Sequence, residues 1–177
     1  MKRRLVGISL LVGIALAVPA MGQSRGTLGA DGALTFPVGN FADRTGMGFG
    51  ALARYEYPLL TPLVLTARTG FILSLGSSHK SNGIEIEESV NLMPFWGGVK
   101  YFVWESAYAA VELGLNLLFS SSNFSSTKTE AKLGLNVGGG YQINDLDLRL
   151  VLQMYDVPHA GDSFGLMFAV GYRFMTF

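Results

Sequence analysis

The sequence predicts an all-β chain: an eight-stranded antiparallel up-and-down transmembrane β-barrel. Three observations carry that expectation. Apolar residues alternate with a period of two in eight separate segments, and each segment reaches the about 9–11 residues a tilted strand needs to cross a bilayer. The connections between segments alternate between long and short. Within the segments the charged residues share one parity and the large apolar residues take the other.

The stretch from Phe164 to Phe177 shows the pattern most cleanly. Phe164, Leu166, Phe168, Val170, Tyr172 and Phe174 fall on one face, and Gly165, Met167, Ala169, Gly171 and Arg173 on the other. Such a strand has one large apolar face and one small or charged face, and lipid is a natural cover for the first. The stretch resembles the closing strands of bacterial outer-membrane β-barrels, which carry an aromatic near or at the carboxyl end as a C-terminal assembly signal. Phe174 lies on the apolar face and is expected to end the strand, with Met175-Thr176-Phe177 as a short tail. If the terminal aromatic itself is read, Phe177 serves.

Met1-Lys2-Arg3-Arg4 is a positive leader, and Leu5 to Val18 is an apolar run of fourteen residues. That is too short for a comfortable membrane helix and right for a signal peptide. Residues 1–22 are therefore expected to be removed, with cleavage after Ala20 or Gly22, leaving 23–177 as one barrel domain. The chain has no Cys, so neither a lipoprotein signal nor a disulfide framework is expected. The 13 basic and 13 acidic residues become 10 against 13, or −3, once Lys2, Arg3 and Arg4 are lost. No basic surface suited to nucleic acid results. After the leader no apolar run approaches the length of a membrane helix, so the chain must span as strands, and the strands must close because hydrocarbon leaves open edges unsatisfied.

Taken in order, the segments are 26–37, 46–57, 62–75, 89–103, 107–119, 130–142, 146–156 and 164–174. Residues 38–45, 76–88, 120–129 and 157–163 form long connections, and 58–61, 104–106 and 143–145 short ones. Long loops outside the cell and short turns inside are expected of outer-membrane barrels. An even strand count puts both termini on the periplasmic side. Strands running toward the short turns end near Tyr55 and Tyr57, Tyr101, Tyr141 and Tyr172, and Trp104 joins them at that level. These six are read as an aromatic girdle at one interface.

Parity assigns the inward faces. Arg54 and Glu56 oppose Met47, Phe49, Ala51, Ala53 and Tyr55 in the second segment, and Arg68 opposes Leu63, Leu65, Ala67, Phe71 and Leu73 in the third. Glu112 opposes Leu113, Leu115 and Leu117 in the fifth, and Asp147 and Arg149 oppose Leu146, Leu148, Leu150 and Leu152 in the seventh. An Arg or Lys on the lipid face at mid-depth costs about 2–4 kcal/mol, so the charges must point inward. The expected lumenal network is Asp31, Arg54, Glu56, Arg68, Lys100, Glu112, Lys132, Asp147, Arg149 and Arg173. Eight strands enclose an interior that side chains can just fill, so a wide channel is not expected. A soluble lipocalin-like carrier would need the reverse arrangement. The fourth segment is irregular: Ile84, Ile86, Val90 and Leu92 align on even positions, then Met93, Phe95, Val99, Tyr101 and Val103 on odd ones. Either Pro94 marks a β-bulge that switches the faces, or the upper part stands above the membrane with free parity.

Phe36-Pro37-Val38-Gly39-Asn40-Phe41-Ala42-Asp43, Tyr55-Glu56-Tyr57, Met93-Pro94 with Lys100-Tyr101-Phe102, and Gly171-Tyr172-Arg173-Phe174 together resemble the broad family of small eight-stranded outer-membrane β-barrel domain proteins, the adhesion, resistance and porin-like type. The resemblance spans nearly all of 23–177 and implies an architecture more than an activity. Its implied partners are outer-membrane lipid and lipopolysaccharide, and the barrel assembly machinery during biogenesis.

Candidate chemistry is sparse. His79-Lys80-Ser81-Asn82-Gly83 resembles the His-x-Ser-Asn run of lipid A 3-O-deacylases, which implies His79 as base and Ser81 as nucleophile. That family carries the run in its C-terminal part, and the acid that orients its His has no counterpart at Met93 and Pro94 here. Ser-Asn-Gly is also ordinary turn chemistry. His159, Asp162 and Ser163 read as turn formers, and Glu85, Glu87 and Glu88 as a solvated acidic segment rather than a metal site. The expectation is a non-enzymatic structural or loop-binding barrel with no catalytic residue, cofactor or metal. A narrow porin-like or small apolar-solute channel is the alternative, and a deacylase-like esterase a further one.

Overall fold

The computed structural model describes residues 26–42, 45–81, 84–122, 125–159 and 161–177, with side chains at 77–88 and 121–127 excepted. The expected signal segment, with both its cleavage positions, lies outside the described residues. The strands are β1 (Thr27–Val38), β2 (Gly48–Leu60), β3 (Leu63–Ser74), β4 (Ser77–Ser81), β5 (Ile84–Phe102), β6 (Ala107–Ser122), β7 (Ser125–Ile143), β8 (Leu146–Met154) and β9 (Phe164–Thr176). Single 3-10 turns at Gly39–Phe41 and Val157–His159 sit between β1 and β2 and between β8 and β9.

Every strand pairing is antiparallel, and β1 pairs with β9 to bring the two ends of the chain together. β3 pairs directly with β5, which closes the ring; β4 continues the line of β3 beyond the rim and pairs with β5 alone. The nine strands therefore make eight staves of a closed barrel. Closure leaves no edge within the membrane-crossing part.

Two of the expected long loops are instead strand. β4 and the start of β5 form a hairpin arm in the expected connection 76–88, and β6 and β7 extend through most of 120–129 in the same way. A strand above a membrane needs no apolar face, so the polar run around Ser120 to Thr129 pairs without showing a period-two pattern.

The fourth segment does not switch faces. β5 pairs with β6 in one unbroken register from Glu88↔Ser122 to Phe102↔Tyr108, so Pro94 marks no bulge. From Val90 on, even positions point inward: Val90, Leu92, Trp96 and Lys100 are buried, while Phe95, Val99 and Tyr101 face out. Both sets looked apolar because the upper lumen is apolar too. The irregularity lies next door. Four residues lie between Ile72 and Ser77 but only three between their partners Leu92 and Glu88, so Leu75-Gly76 holds the extra residue. Pro94 has a different effect: the β3–β5 ladder lapses between Thr69↔Phe95 and Ile72↔Leu92, where a residue without an N–H cannot donate.

β9 also differs from expectation, running past Phe174 to Thr176. Its register with β1 shifts between Leu28↔Met175 and Gly29↔Arg173, which makes Phe174 the extra residue of a bulge. The shift moves odd positions onto the outer face, so Phe177 joins the face of Tyr172, and its N–H donates to the Gly26 carbonyl at 2.9 Å.

The burial pattern is inverted relative to a soluble protein. Arg54, Arg149 and Lys100 are the largest fully buried side chains, whereas Leu150 is 58% and Leu113 50% exposed on the outer wall. A continuous belt of outward Leu, Val and Phe around a charged interior is what a bilayer demands. The fold is a transmembrane β-barrel.

Candidate functional site

The lumen is filled in layers. At the short-turn half, eight charged side chains from six strands meet: Asp31, Arg54, Glu56, Arg68, Lys100, Glu112, Asp147 and Arg149, none more than 5% exposed. Period-two alternation puts each on the inner face of its strand, and the antiparallel registers bring them to similar depth. Arg68 Nη2 lies 2.7 Å from Asp31 Oδ2, and Arg54 Nη1 lies 3.5 Å from Asp31 Oδ1. Lys100 Nζ donates to Glu56 Oε1 at 2.5 Å and to Asp147 Oδ2 at 2.7 Å. Arg54 donates to Asp147, and Arg149 to Glu112. Glu112 also lies 3.5 Å from Arg68 Nε and accepts from Thr66 Oγ1 at 3.3 Å. Four carboxylates face four bases, and each has an opposite charge within reach, as burial requires.

Glycine clears room for these groups. A Cβ on Gly171 would run into the Asp31 carboxylate, and one on Gly140 into the Tyr108 hydroxyl. Tyr108 belongs to the network: its hydroxyl donates to Asp147 and accepts from Arg149 Nε at 3.2 Å, and its ring lies 4.2 Å from Lys100 Nζ. Parity on β6 already put Tyr108 on the face of Glu112; what hid its role was that an inward aromatic carries no charge to be balanced.

Two residues expected in this network stand apart from it. Lys132 lies at the long-loop mouth, 3.2 Å from Asp156 and 3.4 Å from Glu130. Arg173 lies at the other end, where it donates to the Asn144 carbonyl and sits 3.7 Å from Asp145. Both have inward parity, but their strands carry them past the ends of the packed interior. Tyr101, Trp104, Tyr141 and Tyr172 point outward toward the short-turn end and are half or more exposed, with Tyr55 and Tyr57 on the same wall less so.

Above the charges comes a mixed layer. Trp96 Nε1 donates to Asn116 Oδ1 at 2.8 Å, and Asn116 Nδ2 donates to the Tyr155 carbonyl at 3.0 Å. Leu52, Ile72, Leu92, Val151, Met167 and Ala169 fill the space beside them. The top is capped by two connections, with Phe41 stacked on Tyr155 at 4.5 Å between ring centroids. Asn40 Nδ2 donates to Asp162 Oδ1 at 2.7 Å and ties the same two connections together. Parity continued along 146–156 puts Tyr155 on the face of Asp147 and Arg149, whereas Phe41 could not be found that way, because it belongs to no strand.

The hydrolytic candidates lie in two places. His79 and Ser81 lie on β4, opposite Ile86 and Ile84, rather than in a loop, and their side chains are outside the described ones. In the last connection His159 Nδ1 is 3.1 Å from Asp156 Oδ2, but the Ser163 hydroxyl is held by backbone: it accepts from Asp156 N–H at 3.2 Å and reaches the His159 carbonyl at 3.0 Å. That is a turn tie.

These features define a class: a small eight-stranded transmembrane barrel with a filled lumen. Solved structures share this fold. Ail, the attachment invasion locus protein of Yersinia pestis, superposes with a TM-score of 0.57 at 12% identity over 86% of this chain and 100% of Ail. Ail in complex with the heparin analogue sucrose octasulfate gives 0.53 at 13% over the same shares. Neisserial surface protein A gives 0.51 at 14% over 84% of this chain and 95% of its own. No protein-family model matches the chain, and no curated protein matches it in sequence. At these identities the likeness establishes the fold of small outer-membrane barrels; function must come from the site.

Proposed function

We propose that this chain resides in the bacterial outer membrane as a plugged structural scaffold that works through its long-loop end, with both termini periplasmic. The observation that carries the reading is the closed set of eight buried charges, whose bases and acids are equal in number and mutually paired. Such a set spans the barrel and is packed under Trp96, Leu92 and the Phe41–Tyr155 cap, which supports a plug rather than an aqueous pore. The binding role is supported by the strands beyond the rim. There β4, β5, β6 and β7 pair continuously as a four-stranded sheet. Pairing of β7 with β8 starts only at Leu135, so Ser125 to Gly134 has no strand on that side among the described residues. Unpaired strand edges are templates for an extended partner.

The partner differs in charge from a sulfated sugar. In the loop-end segments, Asp43, Glu85, Glu87, Glu88, Glu130, Asp156 and Asp162 outnumber Arg44, Lys80, Lys128 and Lys132. An acidic end of this kind disfavours heparin-like polyanions and suits a neutral or basic partner.

Cell fractionation tests the scaffold reading. The protein should sediment with outer membranes and migrate faster on a detergent gel unheated than boiled; recovery as a soluble periplasmic protein would end it. Incubation with lipopolysaccharide should release no 3-hydroxy fatty acid. Release that is abolished by both His79→Ala and Ser81→Ala would replace the scaffold with an esterase.

A further inference from the structure

At the long-loop mouth, above the Phe41–Tyr155 cap, lies a cavity of about 320 Å³. Its floor is apolar, made of Phe41, Val90, Leu118 and Tyr155, all buried. Its wall is acidic, made of Glu130 from β7 and Asp156 and Asp162 from the β8–β9 connection, with Lys132 the one permanent cation among the described lining residues. We propose that this cavity is a binding site for a small organic ammonium compound, an amine carried on an apolar body such as a phenyl ring.

The charges decide the sign of the ligand. Lys132 Nζ already sits between Asp156 at 3.2 Å and Glu130 at 3.4 Å, so the wall holds an ammonium by carboxylates in its resting state. Asp162 is held differently: its Oδ1 accepts from the neutral amide of Asn40 at 2.7 Å, a contact that leaves its charge uncompensated. Among the described lining residues, three carboxylates against one lysine leave an excess of two negative charges, His159 not counted. An anion would be repelled. Among the described residues no three His, Asp or Glu side chains converge as metal ligands, so the carboxylates line a wall rather than surround a point. A wall of that form beside an aromatic floor matches a cation with an apolar body, which gains both contacts at once. The volume lies at the lower end of ordinary ligand pockets, about 300–1,000 Å³, and limits the guest to a single ring or short chain.

The site requires a folded barrel with its connections in place but not a scaffold role in the cell, so the two readings fail separately. The test is calorimetric titration of the full-length mature barrel in lipid nanodiscs with phenethylammonium chloride, corrected with empty discs. Phenylacetate and 2-phenylethanol serve as the anionic and neutral counterparts. Saturable binding of phenethylammonium is expected, with 2-phenylethanol at least about fivefold weaker and phenylacetate weaker still. Asp162→Asn should weaken phenethylammonium about fivefold, whereas Asn40→Ala, which breaks the same clasp but keeps the charge, should weaken it by less than about twofold. Equal binding of the three probes, an unchanged affinity in Asp162→Asn, or equal losses in the two variants would overturn the proposal. Absence of any saturable heat would do the same.

Discussion

Glu112 shows how much one residue carries in this lumen. Its carboxylate is 2% exposed, accepts from Arg149, lies 3.5 Å from Arg68 Nε and reaches Thr66. Glu112→Gln would leave two guanidinium groups facing a neutral amide in a space with little water. Breaking a buried pair from one side costs about 3–5 kcal/mol, which should appear as a lower urea midpoint for the barrel in lipid vesicles. Glu87→Gln, on the arm above the rim, should change the midpoint by less than about 0.5 kcal/mol equivalent. Gln153 makes the opposite case. It is fully buried, and both its amide oxygen and nitrogen lack a hydrogen-bond partner. Gln153→Leu keeps the volume and removes the orphaned groups, so it should stabilise by about 1 kcal/mol. A loss of stability instead would mean that water serves Gln153 and that the upper lumen is wet.

At the scale of strands, the membrane-crossing parts were legible because the bilayer imposes a rule on each residue. Leu148, Arg149 and Leu150 can be sorted out, in and out again from sequence alone, and β8 follows that sorting with Arg149 buried and its neighbours exposed. Beyond the rim the rule lapses. The β4–β5 and β6–β7 arms pair through backbone, and their Ser, Thr and Lys leave no periodic trace. The bulge at Phe174 was hidden for a related reason: an extra residue inverts parity without changing composition. Phe41 and Asn40 were illegible because their places depend on two connections meeting over the barrel. The outer faces supply a test of the same rule. Leu150→Arg places a charge at mid-strand on the lipid side and should cost about 2–4 kcal/mol, read as a lower folding yield into vesicles and a lower urea midpoint. An unchanged midpoint would mean that this wall does not face hydrocarbon.

For the whole molecule, closure and filling are one property. The β1–β9 and β3–β5 ladders close a cylinder too narrow to leave its charges hydrated, so the charges pair with one another and the pairs in turn brace opposite walls. Asp31 on β1 meets Arg68 on β3, and Arg54 on β2 meets Asp147 on β8, so the network ties strands that share no ladder. A pore would need that bracing broken. Planar-bilayer recording of the purified, refolded barrel tests this most directly. The plugged scaffold predicts a silent membrane, with no steady current steps for the wild type. Steady ionic steps that change when Arg68 or Glu112 is neutralised would contradict it and make the lumen a conduit.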